Sequence, residues 1–140
     1  MLKTSLGKNI YPTQIENVYL KSNRIDQIFI IGDKREFLTA IIVPSEEAMR
    51  EQIPGKLDLL KGENDFIVDD ELTAWLAQEA KKMSNNLAKF ERIKNFLVKR
   101  EPFSVENGDM TITLKVKRKV VMERYINEID AMYLSVDCPL

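Results

Sequence analysis

The chain has 140 residues, 44% of them apolar and 31% charged, which describes a globular domain able to bury a core and excludes a disordered segment. A net charge of −1 excludes a general polyanion binder, so any basic site must be local. Histidine is absent and Cys138 is the single cysteine, which removes His-based triads, His metal sites, intrachain disulfides and cysteine zinc clusters from this chain.

In chain order, the N-terminal stretch reads as a short strand or loop with Gly7 as a turn residue. Pro12 to Glu16 reads as a helix start, with Thr13 as cap and Glu16 at the capping-box spacing. Ile15, Val18 and Tyr19 form its apolar face, and Ser22-Asn23 ends it. Two runs rich in Ile, Val and Phe follow, Gln27–Ile31 and Phe37–Val43, around the turn Gly32-Asp33-Lys34-Arg35. They predict a hairpin whose nearly continuous apolar character implies a sheet covered on both faces.

Pro44 stops the second strand. Ser45 is placed to cap a helix with Glu46 and Glu47 in its first turn, broken by Pro54-Gly55. The segment Leu57–Val68 has no assigned role. Leu72, Trp75, Leu76, Ala80, Met83 and Leu87 recur at three and four, predicting a long amphipathic helix to about Ala88. Asp69-Asp70-Glu71 reads as its acidic first turn. A third main strand covers Ile93 to Val98 and ends before Pro102. Ser104 to Leu114 reads as a loop with a short strand at Thr111–Thr113. The last helix starts near Val116 and buries Val121, Tyr125, Ile129 and Met132. The fold class is therefore α+β in one domain, residues 1–140: a small central sheet with a short N-terminal strand or hairpin, flanked by helices on both faces. No apolar run reaches bilayer-spanning length and no signal-peptide core is present, so the expectation is a cytoplasmic chain.

Few residues suggest chemistry. No acidic group has a spacing that makes it an acid/base couple, and no metal site is expected. Leu6 to Asn9 lacks the Gly-x4-Gly-Lys frame of a phosphate loop. Cys138 stands third from the end, outside a prenylation signal, and reads as an incidental thiol. The informative stretch is Asn107 to Val121, where a turn precedes Lys115, Lys117, Arg118 and Lys119. A nucleic-acid patch is disfavoured, because no second basic cluster or interleaved aromatics accompany it. Two readings remain from the residues alone. One is a solvated helix end. The other is an anion-contacting site, since cations near a helix N-terminus oppose the dipole and invite a compensating anion.

The blocks "TSLGKNIYPTQIEN", "IFIIGDKREFLTAIIVP" and "FERIKNFLVKREPFSVENGDMTITLKVKRKVVMERY" resemble the C-terminal domain of AMP-forming long-chain fatty-acid–CoA ligases, over nearly the whole chain. The resemblance implies a two-step reaction: a fatty acid and MgATP give acyl-adenylate and pyrophosphate, and CoA then gives acyl-CoA and AMP. It implies a partner, a larger N-terminal adenylation domain, against which the small domain rotates between steps. Within "TITLKVKR", Lys115 matches the adenylation lysine and Arg118 the following arginine, while Leu114 replaces the glycine of the wider superfamily. Gly7 and Lys8 match the segment that lines the CoA channel. ATP, Mg2+ and CoA are thus implied for a full-length enzyme. None is expected to be held tightly by this chain alone, which is expected to be inactive in isolation, with the hinge upstream of Met1. Peripheral membrane docking of the parent is left open, and nucleic acid is not an expected partner. The rival reading is a stand-alone module that binds an anion or nucleic acid through its basic segment.

Overall fold

The computed structural model describes residues 2–113 and 115–134. Leu114 and Cys138 lie outside the described residues. The chain divides between Glu101 and Pro102 into two compact units.

The first unit is built on a mixed sheet. Strand β3 (Ile25–Ile31) pairs antiparallel with β4 (Leu38–Pro44), with Phe29 opposite Ile41. The expected turn joins them: Arg35 donates its backbone N–H to the Gly32 carbonyl at 3.0 Å, and Lys34 takes a left-handed φ of 61°. Strand β6 (Ile93–Lys99) lies parallel to β4, and β5 (Phe66–Ile67) closes the order β3-β4-β6-β5. A separate two-stranded ribbon pairs β1 (Leu2–Lys3) with β2 (Asn9–Ile10). The continuous apolar runs are explained by burial of successive residues: Ile28, Phe29, Ile30 and Ile31 are all buried, as is every residue of β4.

Among the described residues, the α-helices of this unit are α1 (Pro12–Tyr19), α2 (Glu46–Gln52) and α3 (Asp70–Met83). Ile15 and Tyr19 of α1, Met49 of α2 and Leu72, Trp75, Leu76 and Ala80 of α3 share one core with Ile28, Ile30, Ala40, Ile42, Phe96 and Val98 of the sheet. Each large aliphatic buried there contributes about 1.5–3 kcal/mol. Ser45 caps α2 by accepting the Ala48 N–H at 3.3 Å, as its position predicts. Asp69 caps α3 by accepting from Leu72 at 2.9 Å, with Asp70 and Glu71 in the first turn.

Several local expectations are corrected. Thr13 does not cap α1. Pro12 occupies the first helical position with its φ already fixed, so the N-cap falls two residues earlier, at Tyr11, which makes no side-chain cap bond. Glu16, released from the capping box, accepts the Ile30 N–H of β3 at 3.0 Å. Helix α3 stops at Met83 instead of reaching Ala88. Ser84 turns its hydroxyl back to the Lys81 carbonyl at 3.0 Å, and short 3-10 turns follow at Ser84–Asn86 and Lys89–Glu91. The unassigned segment takes in the second half of a 3-10 stretch, Pro54–Leu60, and all of strand β5.

In the second unit, the last helix begins at Arg118 instead of Val116 and divides at Tyr125 into α4 (Arg118–Arg124) and α5 (Ile126–Leu134). Val116 is unavailable to the helix because it bridges Met110 in an antiparallel pair. The expected strand at Thr111–Thr113 is a tight turn instead. Val121, Tyr125, Ile129 and Met132 are buried as the periodicity predicts.

Candidate active-site hairpin and the N-terminal turn

The hairpin that carries Lys115 is built from its base upward. Gly108 adopts φ 80° and donates its N–H to the Val105 carbonyl at 3.0 Å, a left-handed turn that glycine enters without strain. Asp109 follows and is fully buried. Its carbonyl accepts the Lys117 N–H at 2.8 Å, and one carboxylate oxygen accepts the Ser104 N–H at 2.7 Å. The other carboxylate oxygen meets Arg124 Nη1 at 3.4 Å, and Arg124 Nη2 donates to the Asn107 carbonyl at 3.2 Å.

Above that base, Met110 faces Val116, and Thr111 then holds Lys115 by both main-chain groups. The Thr111 N–H donates to the Lys115 carbonyl at 2.8 Å, and the Lys115 N–H donates to Thr111 Oγ1 at 3.1 Å. Thr113 Oγ1 lies 3.0 Å from the same hydroxyl. The Lys115 backbone is therefore pinned while its side chain is exposed. Such an arrangement offers a compact, hydrated ammonium from a fixed origin, suited to meeting an anion delivered from outside the unit. Arg118 opens α4 and is half-buried; Lys117, the N-cap, makes no side-chain cap bond and, like Lys119, is exposed.

Gly7 and Lys8 sit on the β1–β2 ribbon, in the other unit. Gly7 has φ 84°, and its N–H donates to the Thr4 carbonyl at 3.0 Å. Thr4 also accepts the Lys8 N–H at Oγ1, 3.1 Å, and donates its own N–H to the Lys8 carbonyl at 3.0 Å. A Cβ at Gly7 would meet nothing within 4 Å, so glycine serves the backbone angle at an open surface. The Lys8 ammonium lies 5.3 Å from the Phe90 ring centroid, and this cation–π contact orients a side chain that the sequence presents only as an exposed lysine. Among the described residues no group of three His, Cys, Asp or Glu is placed to hold a metal ion, and no helix is long and apolar enough to cross a membrane.

Sequence reasoning missed Asp109 and Arg124 as site-forming residues. Asn107-Gly108-Asp109 carries a clear turn signal, yet nothing in it indicates that the aspartate turns inward. Its partner stands 15 residues away on a helix, and helical periodicity presents that arginine as surface.

The mixed sheet and its flanking helices define an α+β domain, and comparison with known proteins supplies its family. A family model described as the AMP-binding enzyme C-terminal domain matches residues 1–137, and the chain belongs to that family. It is 32% identical over 129 residues to a probable acyl-activating enzyme 16, chloroplastic, of Arabidopsis thaliana, covering 92% of this chain and 18% of that protein. It is 31% identical over 140 residues to long-chain-fatty-acid–CoA ligase 5 of Rattus norvegicus, covering 98% of this chain and 20% of that one. Among solved structures, the A domain of a carboxylic acid reductase from Segniliparus rugosus, in complex with AMP and a co-purified carboxylic acid, superposes with a TM-score of 0.76. The identity is 27%, over 97% of this chain and 20% of that one. The chain thus spans about a fifth of the length of these relatives.

Proposed function

We propose that this chain acts as the mobile C-terminal cap of an AMP-forming long-chain fatty-acid–CoA ligase, with Lys115 as the adenylation lysine. The observation that carries the reading is the double main-chain anchorage of Lys115 by Thr111 beneath an exposed side chain. In the first step a fatty-acid carboxylate oxygen attacks the α-phosphorus of ATP, and the bond to the pyrophosphate oxygen breaks. Two anions approach each other there, and charge develops on the non-bridging oxygens. The Lys115 ammonium offsets that repulsion and stabilises the transition state. Mg2+ arrives with ATP as part of the substrate. In the second step the CoA sulfur attacks the acyl carbon and AMP departs.

Arg118, three residues beyond Lys115 at the opening of α4, adds positive charge next to the phosphates. Gly7 keeps the N-terminal turn free of a side chain, so that the backbone approaches the pantetheine arm closely. Lys8 supplies charge for a CoA phosphate. The nucleotide pocket and acyl tunnel belong to an N-terminal adenylation domain of the same protein, in the cytoplasm, and this chain alone does not make acyl-CoA. The test is Lys115→Ala in the full-length parent, with the half-reactions assayed separately. Adenylation falls about 10²–10³-fold, while thiolation of supplied acyl-adenylate is largely retained. Equal losses in both steps overturn the role.

A further inference from the structure

We propose that Asp109 and Arg124 are positioning residues for Lys115; this rests on the adenylation role just described. Three bonds converge on Asp109, and each fixes a different part of the hairpin. The Ser104 N–H at 2.7 Å ties the entering loop to one carboxylate oxygen. Arg124 at 3.4 Å ties the C-terminal end of α4 to the other. The Lys117 N–H at 2.8 Å, bound by the Asp109 carbonyl, sets the strand register two residues beyond Lys115.

That register has consequences further up. The Met110–Val116 bridge and the Thr111–Lys115 bonds continue the same ladder, so a shift at Asp109 moves the origin of the lysine side chain. Asp109 is fully buried and so does not act on a ligand directly. It acts through geometry: the Arg124 guanidinium spans its carboxylate and the Asn107 carbonyl, and clamps the Asn107-Gly108-Asp109 turn onto α4. Arg124 has a side chain 37% accessible, which makes it the milder point of attack.

The experiment uses the full-length parent enzyme with Asp109→Asn and Arg124→Gln, each alone and combined with Lys115→Ala. Adenylation and thiolation are measured separately, together with Tm. The asparagine retains an acceptor for Ser104 but loses the charge that holds Arg124. Adenylation falls up to about 100-fold, the scale of a displacement near 1 Å, and thiolation changes little. In a Lys115→Ala background neither substitution reduces adenylation further, because the group they position is gone. Asp109→Glu recovers part of the rate.

Equal losses in both half-reactions, or a full additional loss in the Lys115→Ala background, overturn the proposal. Should Asp109→Asn fail to fold, Arg124→Gln decides by the same criteria. The two ideas separate cleanly. If Lys115→Ala impairs adenylation selectively but the Asp109 and Arg124 variants do not, only positioning is lost. If Lys115→Ala itself is not selective, the adenylation role fails first.

Discussion

The phenol oxygen of Tyr19, on α1, accepts the backbone N–H of Ile93 at 3.0 Å across 74 residues of sequence. The contact is buried and joins a helix near the N-terminus to the first residue of β6, which lies parallel to β4. Tyr19→Phe keeps the ring but leaves a buried N–H unsatisfied. The expected loss is about 1–3 kcal/mol, read as a lower midpoint in urea at unchanged slope.

The same tyrosine makes stability depend on alkaline pH. Burial pushes its phenol above the ordinary value, outweighing the Ile93 and Ser84 hydrogen bonds and the Arg92 charge, which act in the opposite direction. A folded-state value raised above the unfolded one favours the protonated form. Its contribution is complete below pH of about 10 and is lost as pH rises through the folded value. The stability difference between the wild type and Tyr19→Phe therefore narrows above that pH. A constant difference up to the most alkaline condition contradicts the linkage.

Asp69 makes the opposite prediction at acid pH. Its carboxyl is held below the usual range first by the Leu72 N–H it caps and then by Lys56, whose ammonium lies at 3.3 Å. The stability it contributes is present above pH of about 4 and is lost as pH falls through the lower folded value. Asp69→Ala costs about 0.5–2 kcal/mol at neutral pH, and the cost shrinks on acidification. Chemical unfolding at pH 7 and below pH 3 checks both statements.

Replacing Lys115 by arginine tests whether charge alone suffices. The guanidinium is planar, delocalised and longer, and it presents a fork in place of a compact ammonium. From a backbone held at both ends by Thr111, it reaches a different point. Lys115→Arg is expected to restore only a small part of the adenylation rate lost in Lys115→Ala. Full recovery would show that position matters less than charge.

Gly7 separates backbone strain from steric obstruction. At φ 84° an alanine costs on the order of 1–2 kcal/mol, whereas asparagine tolerates this region better. Both place a Cβ on the open side of the turn. If the turn lines the CoA path, Gly7→Ala and Gly7→Asn both slow thiolation, and adenylation is spared. A thiolation defect in the alanine variant alone would trace to strain.

Much of this fold is legible from local pattern because its causes are local. The β3–β4 runs, the turn at Gly32 to Arg35, the Ser45 cap, the acidic start of α3 and its buried stripe depend on residues a few positions apart. Departures occur where a distant group competes. Glu16 turns to Ile30 and Val116 is held by Met110 instead of joining the helix, while the Thr13 cap is lost to a local cause, Pro12 at the first helical position.

The sequence by itself determined the α+β class and the membership of the family, because periodicity and contiguous residues carry that information. Only the tertiary structure decided that β6 runs parallel to β4, that Lys115 is pinned through Thr111, and that Asp109 is buried against Arg124. Those facts depend on bonds between segments far apart in the chain. A carboxylate looks the same in sequence whether water or a guanidinium satisfies it; burial distinguishes the two.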